Sequence, residues 1–201
     1  MAYNYRPSQG IPPVVLNLII INVIVFVGQY LLDSSLGLTD ILALWPLHSG
    51  QFKPYQLVTM MFAHASFTHI LFNMYSLWLF GAVLERFWGP KKFLIFYLVC
   101  GVAASVAQLI FVPVGAALGA SGAIMGLVAA FAYTFPNTQF FMIPIPIPVK
   151  AKYLAIVYAA LDLFGGFAGN DNVAHFAHLG GLAMGLILVI IWNKTDKKRF
   201  Y

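Results

Sequence analysis

Charged side chains are scarce in this chain of 201 residues: they make up 8% of it, whereas 61% of the residues are hydrophobic. A soluble domain of this size carries about a quarter charged residues, and the mean hydropathy here is +0.86. The chain also lacks the apolar–polar alternation over ~10-residue segments that a transmembrane β-barrel requires. The composition therefore excludes a soluble domain and predicts an all-α protein that crosses a membrane several times.

Cysteine is nearly absent, since Cys100 is the only one and lies within an apolar segment. An intrachain disulfide is therefore impossible, and thiol chemistry is not expected. A His-Glu-x-x-His motif is missing too, and the spacing of His64 and His69 does not put both on one helix face. A metal site built from these residues with His175 and His178 is therefore disfavoured, and we expect no metal and no other cofactor.

Six apolar segments approach the ~20 residues needed to cross the hydrocarbon core of a bilayer. The predicted spans are approximately 14–32, 66–86, 93–112, 119–135, 152–167 and 174–192. No small-x-small cleavage site follows the first span, which we therefore expect to be retained. There is no internal repeat and no soluble segment of useful length, so we expect residues 1–201 to form a single membrane domain.

Basic residues flank these spans unevenly, and Lys53 is the only one on its side of the membrane. The other ten of the eleven lie on the opposite side: Arg6, Arg86, Lys91, Lys92, Lys150, Lys152, Lys194, Lys197, Lys198 and Arg199. Cytoplasmic loops carry an excess of lysine and arginine, so we expect both termini in the cytoplasm. No basic cluster exceeds four residues and each flanks a span, which argues against nucleic acid as a partner.

Four polar residues of catalytic type occur at matching depths in these spans. Ser121 lies 15 residues before Pro136 and His178 lies 15 before Asn193, so both lie ~22 Å above the cytoplasmic edge. His69 and Asn73 lie at ~18–24 Å. Polar groups inside a bilayer are rare unless they face a cavity and have a function. The uncharged loop 112–118 before Ser121 must also be shielded by protein or line a cavity. We therefore predict one site in the outer third of the membrane.

Each of the four has a chemical role available. Ser121 starts a helix, where unpaired N–H groups and the helix dipole stabilise an oxyanion. Small residues follow both central residues at a spacing that permits close helix packing, namely Gly122 and Gly126 after Ser121, and Gly181 and Gly185 after His178. His178 can then act as general base towards Ser121. His69 and Asn73, at i and i+4, share a face and are candidate oxyanion donors.

Structural interpretations compete with these roles. A Gly-x-Ser-Gly run commonly serves helix packing, and a lone intramembrane histidine commonly links helices, but packing alone does not require the shared depth. Asp162 is an intramembrane carboxylate, and its position beside Gly165 and Gly166 favours a local structural role over that of a third catalytic member. Glu85 is expected to tie helix ends together. His64 and His175 are expected to shape the site without acting in it.

Four motifs, in this order, resemble the rhomboid intramembrane serine proteases. They read HASFTHILFN at 64–73, GAVLE at 81–85, GASGA at 119–123 and AHLGGLAMG at 177–185. The resemblance implies a six-transmembrane-helix rhomboid-like bundle with a recessed active-site cavity open to the outer side. It also implies a Ser–His dyad without an acidic member.

Residue by residue, the resemblance makes Ser121 the nucleophile and His178 the base. It makes Asn73, His69 and the backbone amide of Ser121 the oxyanion hole. It further implies that the substrates are single-span transmembrane proteins cleaved by an acyl-enzyme route near the outer leaflet, with span five and the loop over the site as a gate.

This chain departs from the family pattern at two places. The family often has Trp-Arg where this chain has Tyr55 and Gln56, so we expect a different anchoring of the first loop. An aromatic residue commonly stacks on the catalytic histidine where this chain has Met125. A thioether contacts an imidazole face more loosely, which predicts a less constrained histidine with activity retained.

Two other functions compete with proteolysis. A non-catalytic rhomboid-like protein that binds transmembrane helices typically lacks the serine or the histidine, and both are present here. A transporter would need polar residues down to the cytoplasmic face, yet residues 124–131 below Ser121 are apolar. Short tails and the lack of a transit peptide favour a bacterial inner membrane, with the lipid bilayer and transmembrane substrates as partners and the active site open to the extracytoplasmic side.

Overall fold

The computed structural model describes residues 10–112, 114–141, 148–168 and 173–195. Nine α-helices lie within these ranges: α1 Pro13–Leu36, α2 Leu38–Leu42, α3 Gln56–Thr59, α4 Phe67–Ser76, α5 Ala82–Trp88, α6 Pro90–Phe111, α7 Ser121–Thr134, α8 Ala151–Ala168 and α9 His175–Thr195. A π-helical turn, Leu77–Gly81, joins α4 to α5. Two 3₁₀ turns, Leu47–Ser49 and Met60–Phe62, lie in the first long connection, and strands β1 Gln139–Phe141 and β2 Pro148–Lys150 pair antiparallel before α8.

Five helical segments in the described part of the chain are long and apolar enough to cross a membrane. They are α1, the continuous α4–α5 segment, α6, α8 and α9, and all observed helix ends lie within four residues of the predicted spans. The predicted fourth span is α7, which has only 14 residues, or ~21 Å against the ~30 Å of the hydrocarbon core. The structure is thus a helical membrane bundle in which one central helix is short.

Helix α7 lies at the centre of the bundle, and ten of its fourteen residues are buried. It packs against α9 through glycines: a Cβ added at Gly181 would overlap the backbone of Gly122, and one at Gly185 would overlap Gly126. Because the lower-numbered glycines meet each other and the higher-numbered ones do too, the two helices run in the same direction. The N-terminal end of α7 therefore lies beside the first two turns of α9.

Glu85 ties α5 to the start of α1. Its buried carboxylate accepts hydrogen bonds from the backbone N–H groups of Val14 at 3.0 Å and Val15 at 2.8 Å. Helix α1 has no side-chain cap of its own, and the first N–H groups of a helix need an outside acceptor. A carboxylate also suits the positive end of the helix dipole. The expectation that Glu85 joins helix ends agrees with this contact.

Replacing Glu85 by alanine is expected to lower the free energy of unfolding by roughly 2–3 kcal/mol, because two N–H donors lose their acceptor. Glu85→Gln is the matched control, since its amide retains one acceptor oxygen and should cost less. Thermal unfolding in detergent micelles measures both variants. An Ala variant as stable as wild type would show that the cap does not matter.

Four of the basic residues that predict the orientation lie outside the described residues, namely Arg6, Lys197, Lys198 and Arg199. Lys92, near the start of α6, places its Nζ 4.4 Å from the ring centre of Trp192 near the end of α9. Lys92 thus borders the C-terminal end of α9, whose last turn carries Lys194. The placement of both termini in the cytoplasm stays a prediction.

Candidate active site

The structure brings Ser121 and His178 into direct contact. Ser121 is the first residue of α7 and His178 lies in the first turn of α9, so the parallel packing of the two helices puts both side chains at one level. Ser121 Oγ is 2.7 Å from His178 Nε2. A hydroxyl at this distance from an imidazole nitrogen is placed to transfer its proton when it attacks.

The tautomer of His178 follows from its second contact. Its Nδ1 lies 2.9 Å from Oδ1 of Asp162 on α8, and an ionised carboxylate only accepts hydrogen bonds. Nδ1 therefore carries the proton in the neutral ring, and Nε2 accepts from Ser121. This is the protonation state that a general base requires.

Asp162 does not have the purely local role that its neighbouring glycines suggested. Oδ1 of this carboxylate accepts a second hydrogen bond, from Nδ1 of His175 at 2.8 Å. Sequence reasoning missed the contact because the partners lie 13 and 16 residues away on another helix. The available signal was the i, i+3 pair His175 and His178, which presents two imidazoles on one helix face near a lone carboxylate.

His69 and Asn73 lie on α4 beside the backbone that leads into Ser121. Ser66 caps this helix by accepting from the His69 N–H at 3.1 Å, and Asn73 Nδ2 donates to the His69 carbonyl at 3.1 Å. A Cβ added at Gly119 would lie 2.8 Å from His69 Nε2 and 3.8 Å from Asn73 Nδ2. Both side chains therefore reach the segment that immediately precedes Ser121.

The donor state of His69 is also set by its neighbours. The backbone N–H of Ala65 donates to His69 Nδ1 at 3.4 Å, so the proton of the neutral ring resides on Nε2, the atom nearest Gly119. Asn73 has a second amide hydrogen besides the one given to the His69 carbonyl. Each side chain thus has an N–H group near the start of α7.

Backbone pairing holds the connection before α7 in place. Ala117 exchanges two backbone hydrogen bonds with Leu44, at 2.8 and 3.0 Å, and the Gly119 N–H donates to the Met60 carbonyl at 2.8 Å. Gly119 has φ +126°, a conformation that side chains rarely adopt. The uncharged loop is therefore paired to the first long connection where it approaches Ser121.

The first long connection is anchored through Gln56, at the position where the family often has arginine. Its buried side chain accepts from the backbone N–H groups of Trp45 at 3.3 Å and Lys53 at 3.1 Å, and it donates to the Gln51 carbonyl at 3.1 Å. The departure from the family pattern therefore has a structural counterpart, since a neutral amide holds the loop here. The less constrained histidine expected beside Met125 stays a prediction.

His64 lies next to the site, just before α4, and its ring centre is 5.1 Å from that of His69. The pKa of His64 is lowered to about 4, mainly by burial and in smaller part by the nearby His69, while a hydrogen bond to the Phe62 carbonyl opposes both. The ring is therefore neutral at neutral pH. Its backbone N–H donates to Gln29 on α1 at 2.9 Å, so His64 joins two helices without contacting Ser121.

The depressed pKa of His64 predicts acid sensitivity. The unfolded chain takes up this proton near pH 6.5 and the folded protein only near pH 4. Stability is therefore lost as the pH falls from about 6.5 to about 4 and then levels off, by on the order of 2–3 kcal/mol. Thermal midpoints across this range should depend less on pH in His64→Gln than in wild type.

The exposed His48 provides the control for this measurement. His48→Gln should leave the pH dependence of the thermal midpoint as in wild type. Parallel curves for His64→Gln and wild type would mean that another group causes the acid sensitivity.

Among the described residues, no three His, Cys, Asp or Glu side chains are grouped closely enough to bind a metal ion. The candidate site thus consists of a serine, three histidines, a carboxylate and an amide, contributed by α4, α7, α8 and α9: Ser121, His69, His175, His178, Asp162 and Asn73. It can carry out nucleophilic attack, proton transfer and oxyanion stabilisation with its own side chains.

Comparison with known proteins identifies relatives of this chain. Residues 51–194 match the family model described as Rhomboid domain. The chain is 31% identical to Rhomboid protein 1, mitochondrial, of Saccharomyces cerevisiae over 69% of its own length and 42% of that protein. It is 35% identical to Rhomboid protease GluP of Bacillus subtilis over 65% of its length and 24% of that protein. Identity with Putative rhomboid protease YdcA of Bacillus subtilis is 32%, over 73% of this chain and 71% of that protein.

Proposed function

Because this chain belongs to the rhomboid family, we propose that it is an intramembrane serine endopeptidase that cleaves the transmembrane segments of single-span proteins. The observation that carries the proposal is the 2.7 Å hydrogen bond between Ser121 Oγ and His178 Nε2. A non-catalytic protein that only binds transmembrane helices has no need of this pair. The names of two bacterial relatives, Rhomboid protease GluP and Putative rhomboid protease YdcA, include the word protease, which supports the proposed proteolytic function.

The reaction uses the two residues in sequence. Ser121 Oγ attacks the substrate carbonyl carbon while His178 Nε2 takes its proton, and a tetrahedral oxyanion forms. His178 then gives the proton to the leaving amine as the C–N bond breaks, which leaves an acyl group on Ser121. A water molecule, deprotonated by His178, attacks this ester and releases the new carboxyl terminus together with free Ser121.

The start of α7 supplies the groups that stabilise the oxyanion. Helix α7 has no side-chain cap, so the first N–H groups, including that of Ser121, are available to negative charge. Nε2–H of His69 and the second N–H of Asn73 lie beside the same segment. Donors fixed in a water-poor site before the reaction are among the largest contributions to catalysis.

We also propose an orientation, with both termini in the cytoplasm of a bacterium and the site open to the extracytoplasmic side of the inner membrane. Ser121 and His178 lie at the N-terminal ends of α7 and α9, whereas Lys92 packs near the C-terminal end of α9. The excess of basic residues at that second end supports its cytoplasmic location.

A fluorophosphonate probe tests for the activated serine. Purified wild-type protein in detergent is expected to be labelled covalently, and Ser121→Ala is expected to remain unlabelled. Equal labelling of the two proteins, or no labelling of wild type in any lipid environment, would favour the non-catalytic helix-binding alternative.

A further inference from the structure

Asp162 is one of only three buried residues in the described helix α8, with Ala151 and Leu154. Most of the remaining residues of this helix are apolar and partly or fully exposed, so a buried carboxylate at this position is costly unless it has partners. Both described hydrogen-bond partners of its side chain are imidazoles on α9. The side chain of Asp162 is therefore held in place by residues of the candidate site.

We propose that Asp162 is a positioning residue for the reaction, which holds His178 in its reactive tautomer and stabilises the imidazolium that forms during attack. This inference rests on the proposed function. It adds an acidic member to the Ser–His dyad that the family resemblance implies.

Ser121, His178 and Asp162 are joined by two consecutive hydrogen bonds. Ser121 Oγ lies 2.7 Å from His178 Nε2, and His178 Nδ1 lies 2.9 Å from Asp162 Oδ1. Because the carboxylate accepts a hydrogen bond from the Nδ1–H group, the ring cannot adopt the other neutral tautomer without losing this hydrogen bond. The contact also fixes the ring about its χ angles, with Nε2 directed at Ser121.

The charge of Asp162 acts mainly in the transition state. Before attack, the Nδ1–H group of the His178 ring in its general-base form donates a hydrogen bond to the carboxylate. Once His178 has taken the proton from Ser121, a full ion pair exists across 2.9 Å in a site where both side chains are about nine-tenths buried. An interaction that strengthens only as the proton moves lowers the barrier without tightening substrate binding.

His175 fixes the carboxylate from the other side. Its Nδ1 donates to the same oxygen at 2.8 Å, which fills the second lone pair of Oδ1. A Cβ added at Gly165 on α8 would overlap the His175 ring, so the glycine provides the space that this contact needs. Gly165 thus has a local packing role in α8, whereas the contacts of Asp162 reach the candidate catalytic residue His178.

The competing explanation is that Asp162 only fastens α8 to α9. The variant Asp162→Asn distinguishes the fastening role from the positioning role. The amide has almost the same volume as the carboxylate and its oxygen still accepts a hydrogen bond, but the negative charge is gone. A fastening role predicts that the Asn variant keeps its turnover. A positioning role predicts a large loss of kcat in a protein that remains folded.

The test measures kcat and KM on a transmembrane substrate segment in detergent, together with the thermal midpoint. Asp162→Asn is expected to lower kcat by about 10²–10⁴-fold, with KM and the thermal midpoint close to wild type. Asp162→Glu, which restores the charge, should recover part of kcat. His175→Ala, which leaves the contact between Asp162 and His178, should lower kcat by about tenfold at most.

A spectroscopic readout accompanies the kinetics. In histidine-labelled protein, the proton on His178 Nδ1 should give a low-field NMR signal that persists in Ser121→Ala and moves to higher field in Asp162→Asn, where a neutral amide oxygen replaces the charged acceptor. An Asn variant with wild-type kcat, from a protein whose Ser121 is labelled by the probe, overturns this inference alone. A wild-type protein whose Ser121 is not labelled overturns the proposed function and this inference together.

Discussion

His178→Ala is expected to reduce peptide-bond hydrolysis by up to about 10⁶-fold, and Ser121→Ala by a similar factor. The serine hydroxyl loses the acceptor that lies 2.7 Å away in wild type, and no other base in the described site contacts it. Residues that act as one unit are not additive, so the double variant should be no worse than either single one. Cleavage of a transmembrane substrate reconstituted with the enzyme measures all three.

Substrate binding separates this prediction from the non-catalytic alternative. Both variants should still bind the substrate segment, because each substitution removes only one polar side chain of the candidate site. His48→Ala, an exposed position, should leave cleavage unchanged. Residual cleavage by Ser121→Ala at the wild-type rate would mean that another residue, or a contaminating protease, performs the reaction.

Gly181→Ala is expected to lower both stability and turnover, because there is no room for even one methyl group at this position. The added Cβ would overlap the backbone carbonyl of Gly122, and backbone atoms do not move aside as a flexible side chain does. The helices α7 and α9 must then separate. Overpacking of this kind costs about 1–3 kcal/mol, and a misplacement of about 1 Å can cost 10²-fold in rate.

The thermal midpoint and kcat of this variant should therefore fall together. Gly28→Ala is the matched control, since a Cβ there would only reach ordinary contact with Leu38, at 3.4 Å. If Gly181→Ala retained both the stability and the turnover of wild type, close packing between α7 and α9 would not be what positions His178.

The substitutions at His178 and Gly181 act at different steps. The glycines on α7 and α9 permit the close approach, which puts the N-terminal end of α7 beside the first turns of α9. A hydroxyl and an imidazole can then form a hydrogen bond. A change at Gly181 therefore acts on the chemistry through geometry, whereas a change at His178 acts on it directly. Stability measurements distinguish the two, because only the glycine variant should unfold at a lower temperature.

The sequence by itself determined the helical membrane class and the bounds of the six predicted spans to within four residues. It could do so because a long apolar segment in a bilayer must satisfy its own backbone hydrogen bonds as a helix. It also indicated Ser121, His178, His69 and Asn73, since residues on straight helices of known rise have a depth that can be counted. Their catalytic roles remain proposals.

Only the tertiary structure decided what surrounds these residues. The contact of Asp162 with His175 and His178 depends on how α8 packs against α9, and no spacing within one helix encodes the relative rotation of two helices. The anchoring of the first connection by Gln56 likewise needs three backbone groups that only the folded loop brings together. Helix positions follow from local hydrogen bonding and hydropathy, whereas side-chain partners between helices follow from packing, which the linear sequence does not show.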